Sequence, residues 1–162
     1  MKTNIKIKFW ILLFIIGLLI SGITAFPLEW ELKILNNYLG TNSTIAESYP
    51  DLSAWITKVY LGLSDTNQKY PFLSYGTDWL AFAHIVLAIL FIGPLRDPIK
   101  NIWVIEFGII SCTLVIPLAL ICGHIREIPL FWQMIDCSFG ILGIIPLLIV
   151  RKQIKLIEHT NH

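Results

Sequence analysis

Four long apolar stretches punctuate the chain, at about residues 9–25, 77–95, 102–122 and 131–150. Each has roughly the 17–25 residues that a helix needs to cross a hydrocarbon core about 30 Å thick. Backbone amides in lipid must bond internally, so helices are the expected form. The pattern predicts an all-α membrane protein: a four-helix transmembrane bundle, with residues 1–162 forming one integral membrane domain. Between the first two stretches, residues 26–76 are too apolar for a plain linker. Pro27, the early acids Glu29 and Glu31, and the stop at Gly40 predict a helix over residues 27–39, with Leu28, Leu32, Leu35 and Leu39 on one face. A second helix is expected over residues 50–63, with Leu52, Trp55, Ile56, Val59 and Leu63 on one face. Two short amphipathic helices of this kind should lie flat on the outer mouth of the bundle or on the lipid surface. Pro117 and Pro146 fall inside the third and fourth spans, where each should bend its helix.

Small and polar residues let helix backbones approach in lipid. On that basis Gly17, Ser21 and Thr24 are expected to face inward from the first span, and Thr77, Ala81, His84 and Ala88 from the second. The third should present Glu106, Thr113 and Pro117, and the fourth Gln133, Asp136, Gly140 and Gly143.

Charge adds orientation. Eight of the twelve Lys and Arg residues fall in three short segments: Lys2, Lys6 and Lys8; Arg96 and Lys100; Arg151, Lys152 and Lys155. Basic residues collect on the cytoplasmic side, so both termini should be in and the 26–76 segment out. Trp10, Trp30, Trp79, Trp103 and Trp132 stand near span ends, where indole rings favour the interface. The N-terminal lysines and apolar run resemble a signal peptide, but the run exceeds a usual signal core and is read as a retained helix. The formal net charge of +1 gives no reason to expect nucleic acid as a partner. Cys112, Cys122 and Cys137 lack CxxC spacing, which argues against a dithiol redox enzyme.

Ionisable side chains in a bilayer are costly and mark candidate sites. At a rise of about 1.5 Å per residue, His84 should lie roughly 10 Å below the outer boundary and Asp136 about 8 Å below it. Asp78 should sit at the outer rim, and His124, Arg126 and Glu127 in the outer turn between the third and fourth spans. Asp78, His84, His124, Arg126 and Asp136 are therefore the expected ligand-binding set. His84 with Asp136 is the candidate catalytic pair. The same two could instead be a hydrogen-bonded pair that fixes helix packing. A metal site from His84, Asp136, Asp78 and His124 is a further reading, since imidazole and carboxylate suit zinc or iron. It lacks a tight ligand motif, and no cofactor is indicated. Arg126 could hold a phosphate or carboxylate headgroup, or be a solvated loop charge. Glu106, near the inner boundary, is expected to form a structural ion pair with Arg96 or Lys100, with a proton or ion position as the alternative.

The stretches YGTDWLAFAH, GPLRDPIKNIWVIEFG and IPLFWQMIDCSFG resemble a group of bacterial four-span inner-membrane proteins of unknown function. The resemblance covers most of residues 70–146 and implies no activity. The layout, with a long outer segment after the first span, is also similar to sterol-isomerase-like (EXPERA) proteins. No motif is shared with those, so no residue role follows. The expected function is an inner-membrane protein whose outward-facing polar pocket holds a lipid-like or other small ligand. A membrane enzyme using the His/Asp pair on a lipid-phase substrate, and a structural subunit of a larger complex, are the alternatives. Expected partners are membrane lipid, a small-molecule ligand, and another membrane protein or a second copy of the chain.

Overall fold

A computed structural model describes residues 5–160. Lys2, counted in the orientation argument, lies outside the described residues. Within them the chain is all-helical: α1 Ile5–Ala25, α2 Leu28–Leu39, α3 Pro50–Lys69, α4 Tyr75–Leu90, α5 Ile92–Arg96, α6 Ile102–Ile125 and α7 Leu130–Thr160. Four stretches are helical, long and apolar enough to cross a membrane: Ile5–Ala25, Pro71–Arg96, Ile102–Ile125 and Leu130–Glu158. These contain the four expected spans. α3 runs six residues past the expected end at Leu63, because nothing from Ser64 to Lys69 breaks a helix and Lys69 pairs with Asp65 one turn back (2.8 Å). α7 likewise continues beyond Val150 through Arg151, Lys152 and Lys155.

Contacts divide the chain into two compact units, Met1–Leu18 with Val86–His162, and Leu19–Ile85. In the first, α6 and α7 form a hairpin joined by a short turn, with small residues at the crossing. A Cβ on Gly140 would stand 2.5 Å from the Cys112 carbonyl oxygen, and one on Gly143 would stand 2.8 Å from Cys112 Sγ. Around this hairpin the buried side chains are Ile7, Ile11 and Ile15 of α1, Phe91 after α4, Val104 and Ile105 of α6, and Leu147, Val150 and Ile154 of α7. Phe14 stacks on Phe91 with ring centroids 4.7 Å apart, and a Cβ on Gly108 would meet Phe91 and Leu147. The opposite face of α6 exposes Ile110, Leu114, Leu118 and Ile121. Such an apolar exterior on a helix of span length suits lipid rather than water.

In the second unit α2 packs along α3. The leucine stripe Leu28, Leu32, Leu35 and Leu39 is half-buried, while Trp30, Lys33, Ile34 and Tyr38 are exposed. On α3, Ile56 is buried and Leu52, Trp55, Val59 and Leu63 are half-buried. Thr57 ties the pair: its hydroxyl donates to Asn36 Oδ1 (2.7 Å) and accepts from the Thr41 backbone N–H (3.0 Å). Gly22 of α1 is buried against α4, where its missing Cβ leaves room for the Ala81 carbonyl and for His84 and Ile85.

The small-residue rule holds for α4 and α7 and only in part for α1 and α6, where Thr24 and Glu106 are half-buried. Ala81, Ala88, Gln133 and Gly140 are buried, with Thr77, His84, Asp136 and Gly143 half-buried. On α1, Gly17 and Ser21 are exposed, and the buried face is the isoleucine stripe with Gly22. On α6, Thr113 and Pro117 are exposed. Thr113 satisfies its hydroxyl on the Ile109 carbonyl of its own helix (2.8 Å), so it needs no inward partner.

Candidate functional site

The sequence-derived residues divide between the two units. Asp78 and His84 belong to Leu19–Ile85, and His124, Arg126 and Asp136 to the other.

In the Leu19–Ile85 unit, Asp78 lies in the first turn of α4 and lines a cleft of about 430 Å³. The end of α1 and the start of α2 supply its apolar side through Ala25, Phe26 and Leu28, with Trp30 at the mouth and Leu63 from α3. Its polar side is Glu29, Lys33, Asn67, Ser74, Thr77 and Asp78. Three of these form a relay across three segments. Ser74, in the turn before α4, donates to Asn67 Oδ1, and Asn67 Nδ2 donates to Glu29 Oε2 (2.6 Å). Hydrogen bonds from Asn67 and Ser64, with the Lys33 charge nearby, hold the Glu29 carboxyl below its ordinary range. Asp78 is half-buried and, among the described residues, makes no hydrogen bond or ion pair.

Glu29, Asn67 and Ser74 were not singled out in the sequence as site residues. The only signal was Glu29 as an early helix acid, because a relay joining residues 38 and 7 positions apart depends on how α2 and α3 fold together. Trp30 lines the cleft. Further along α4, half-buried His84 has Nδ1 2.8 Å from the Leu80 carbonyl, which directs Nε2 away from the backbone.

In the other unit, His124 and Arg126 are exposed at the α6–α7 turn. That turn is a paired cap. The Ile128 N–H reaches the Gly123 carbonyl (2.9 Å) and the Glu127 N–H reaches His124 (3.2 Å), with Glu127 left-handed at φ 55°. Buried Gln133 donates to the Ile128 carbonyl (2.7 Å) and occupies the space beside Gly123. Asp136, one turn along α7 from Gln133, is half-buried and without a hydrogen bond or ion pair among the described residues.

Glu106 does form an ion pair, but not with the expected cations. Its Oε1 lies 2.9 Å from Arg151 Nε, which joins α6 to α7. Lys100 instead sits 3.8 Å from Asp97, and Arg96 has no ion pair among the described residues. The loop holding them folds on itself. Asn101 Nδ2 donates to the carbonyls of Gly93 (3.3 Å) and Asp97 (2.9 Å), and the Lys100 N–H donates to Asp97 Oδ1 (3.1 Å). Short-range bonds therefore commit this loop locally and leave Glu106 to the facing helix.

Among the described residues no three His, Cys, Asp or Glu side chains come together as a metal ion would require. Cys112, Cys122 and Cys137 are all free thiols. Compared with protein-family models, with curated proteins and with solved structures, the chain matches none. The four apolar spans define the class, an integral membrane protein.

Proposed function

We propose that this is a bacterial inner-membrane protein, folded as a four-helix bundle with both termini in the cytoplasm, whose outward-facing polar pocket holds a lipid-like or other small ligand. The observation that supports the reading is the cleft beside Asp78. It is lined by residues of α2 and α3, combines apolar and charged walls, and contains a carboxylate that finds no partner among the described residues. Its volume falls in the roughly 300–1,000 Å³ range of ligand pockets. A second reading, an enzyme acting on a lipid-phase substrate through His84 and Asp136, is favoured by the bond that fixes His84 Nδ1 and leaves Nε2 for another group.

Native mass spectrometry of the protein extracted in mild detergent tests the ligand. A bound small molecule is expected on the wild type and should be depleted in Trp30→Ala. A wild-type protein free of adducts in every detergent tried would count against the pocket. Orientation is tested with single cysteines in a background lacking Cys112, Cys122 and Cys137. A cysteine at Ser64 should react with an impermeant maleimide from outside, and one at Asn101 only after permeabilisation. The reverse pattern would move the cleft to the cytoplasmic side.

A further inference from the structure

We infer that the cleft beside Asp78 selects the headgroup of an aminophospholipid, its primary ammonium received by Asp78 and Glu29 and its phosphate by Lys33. The inference rests on the ligand-binding reading above and names the ligand's class.

Charge is the first ground. The cleft carries two carboxylates and one ammonium, Glu29, Asp78 and Lys33. An anionic headgroup would leave both carboxylates uncompensated, whereas a zwitterion can meet all three charges. Asp78 is the group most in need of a donor, since it is half-buried at the head of a membrane-spanning helix and has no protein partner among the described residues. A primary ammonium carries three donors. It can therefore bond to two carboxylates at once, which a trimethylammonium group cannot.

Positioning is the second ground. Asn67, itself fixed by Ser74, holds one Glu29 oxygen at 2.6 Å and so orients the carboxylate before any ligand arrives. Lys33 follows Glu29 by four residues on α2, so both emerge from one side of that helix. Its ammonium suits a phosphate as a point charge. Trp30, 64% exposed, offers an indole face that favours cations and the membrane interface.

Depth separates a lipid from a free zwitterion. The cleft is lined by Ala25, the last residue of one spanning helix, and by Thr77 and Asp78 at the start of another. Ends of spans lie at the headgroup layer, and Phe26 and Leu28 add apolar surface to the cleft there.

The test is lipid titration of the delipidated full-length protein in detergent, read by native mass spectrometry. Phosphatidylethanolamine, phosphatidylcholine and phosphatidylglycerol of identical acyl chains are compared, with soluble phosphoethanolamine as competitor. Phosphatidylethanolamine should bind about tenfold more tightly than the other two, the value of one good charge-assisted bond. Asp78→Asn should remove that preference, Lys33→Gln should weaken binding of every phospholipid, and Lys58→Gln, outside the cleft, should change nothing. Lys33 is exposed on α2, so its variant reports even if Asp78→Asn fails to fold. Equal or tighter binding of phosphatidylglycerol would overturn the inference, as would a preference that survives Asp78→Asn. Competition by phosphoethanolamine at lipid-like concentrations would overturn the lipid assignment. A different molecule bound in the cleft and depleted by Trp30→Ala would sink the headgroup inference alone. No binding of any molecule would sink the ligand-binding reading with it.

Discussion

Adding one methyl group at Gly140 tests the α6–α7 crossing directly. The new Cβ would lie 2.5 Å from the Cys112 carbonyl oxygen and 3.3 Å from Val115 Cβ. The obstacle is backbone, which no rotamer change can move, so the helices must part by a fraction of an ångström to about one. Overpacking of this kind costs about 1–3 kcal/mol. Gly→Ala inside a helix returns about 1 kcal/mol through propensity. The net expectation for Gly140→Ala is a loss of up to about 2 kcal/mol. Gly17→Ala is the internal control. No atom lies within 4 Å of its Cβ, so only the propensity gain applies and stability should hold or rise by up to about 1 kcal/mol. Gly143→Ala separates side chain from backbone. Its clash is with Cys112 Sγ at 2.8 Å, so Cys112→Ala should rescue it and should not rescue Gly140→Ala. Unfolding in mixed micelles with increasing dodecyl sulfate, followed by far-UV circular dichroism, gives the midpoints. Gly140→Ala unfolding at or above the wild-type midpoint would refute the close crossing, as would rescue of Gly140→Ala by Cys112→Ala.

Three further expectations follow from the polar groups. Glu106→Gln should lower stability by up to about 1 kcal/mol, since both partners are more than a third exposed. The exchange Glu106→Arg with Arg151→Glu should recover much of that loss, while Arg96→Ala leaves it untouched; an Arg96 effect equal to that of Arg151 would restore the sequence-derived partner. The folded-state pKa of Glu29 is lowered by Asn67, then Ser64, then Lys33, so its contribution to stability is fully present above the ordinary value of 4.5 and is lost as pH falls through the lower folded value. Protection factors of the α2 amides, corrected for the intrinsic pH dependence of exchange, should therefore fall once the pH drops below 4.5 and should lose much of this dependence in Asn67→Ala; an unchanged profile in Asn67→Ala would show that the hydrogen bond does not set it. Under the enzyme reading, His84→Ala and Asp136→Ala should couple by more than about 0.5 kcal/mol in a double-mutant cycle, and additive losses would count against that reading.

What could be read from the chain and what could not follows the range of the forces involved. Spans depend on runs of adjacent apolar residues, and all four were legible. Inward faces were legible on α4 and α7, where Ala81, Gln133 and Gly140 combine small size with the need for a partner. They were misread in part, at Gly17 and Ser21 of α1 and at Thr113 and Pro117 of α6. Lipid is as apolar as isoleucine, so transfer energy does not distinguish the Ile7, Ile11 and Ile15 face from the Gly17 and Ser21 face, and packing against neighbours decides. The partner of Glu106 was sought among nearby cations, whereas Arg151, 45 residues away, approaches it only when the hairpin closes. The relay in the cleft was missed for the same reason, as Asn67 and Ser74 are ordinary polar residues until α3 lies beside α2.

The Glu106–Arg151 bridge also fixes a thickness. From Asp136 to Arg151, α7 carries no charged residue, and these fifteen steps span only about 22 Å. On α6 the uncharged stretch from Glu106 to the turn at Arg126 covers about 30 Å. The two helices are clamped together at one end by the bridge and at the other by the capped turn, so α7 cannot slide to equalise them. A bilayer with a core of about 30 Å must then thin or pucker beside α7. Reconstituted into lipids of graded chain length, the protein should be most stable in a membrane thinner than the average one, and its surroundings should be a place where thin-forming lipids gather.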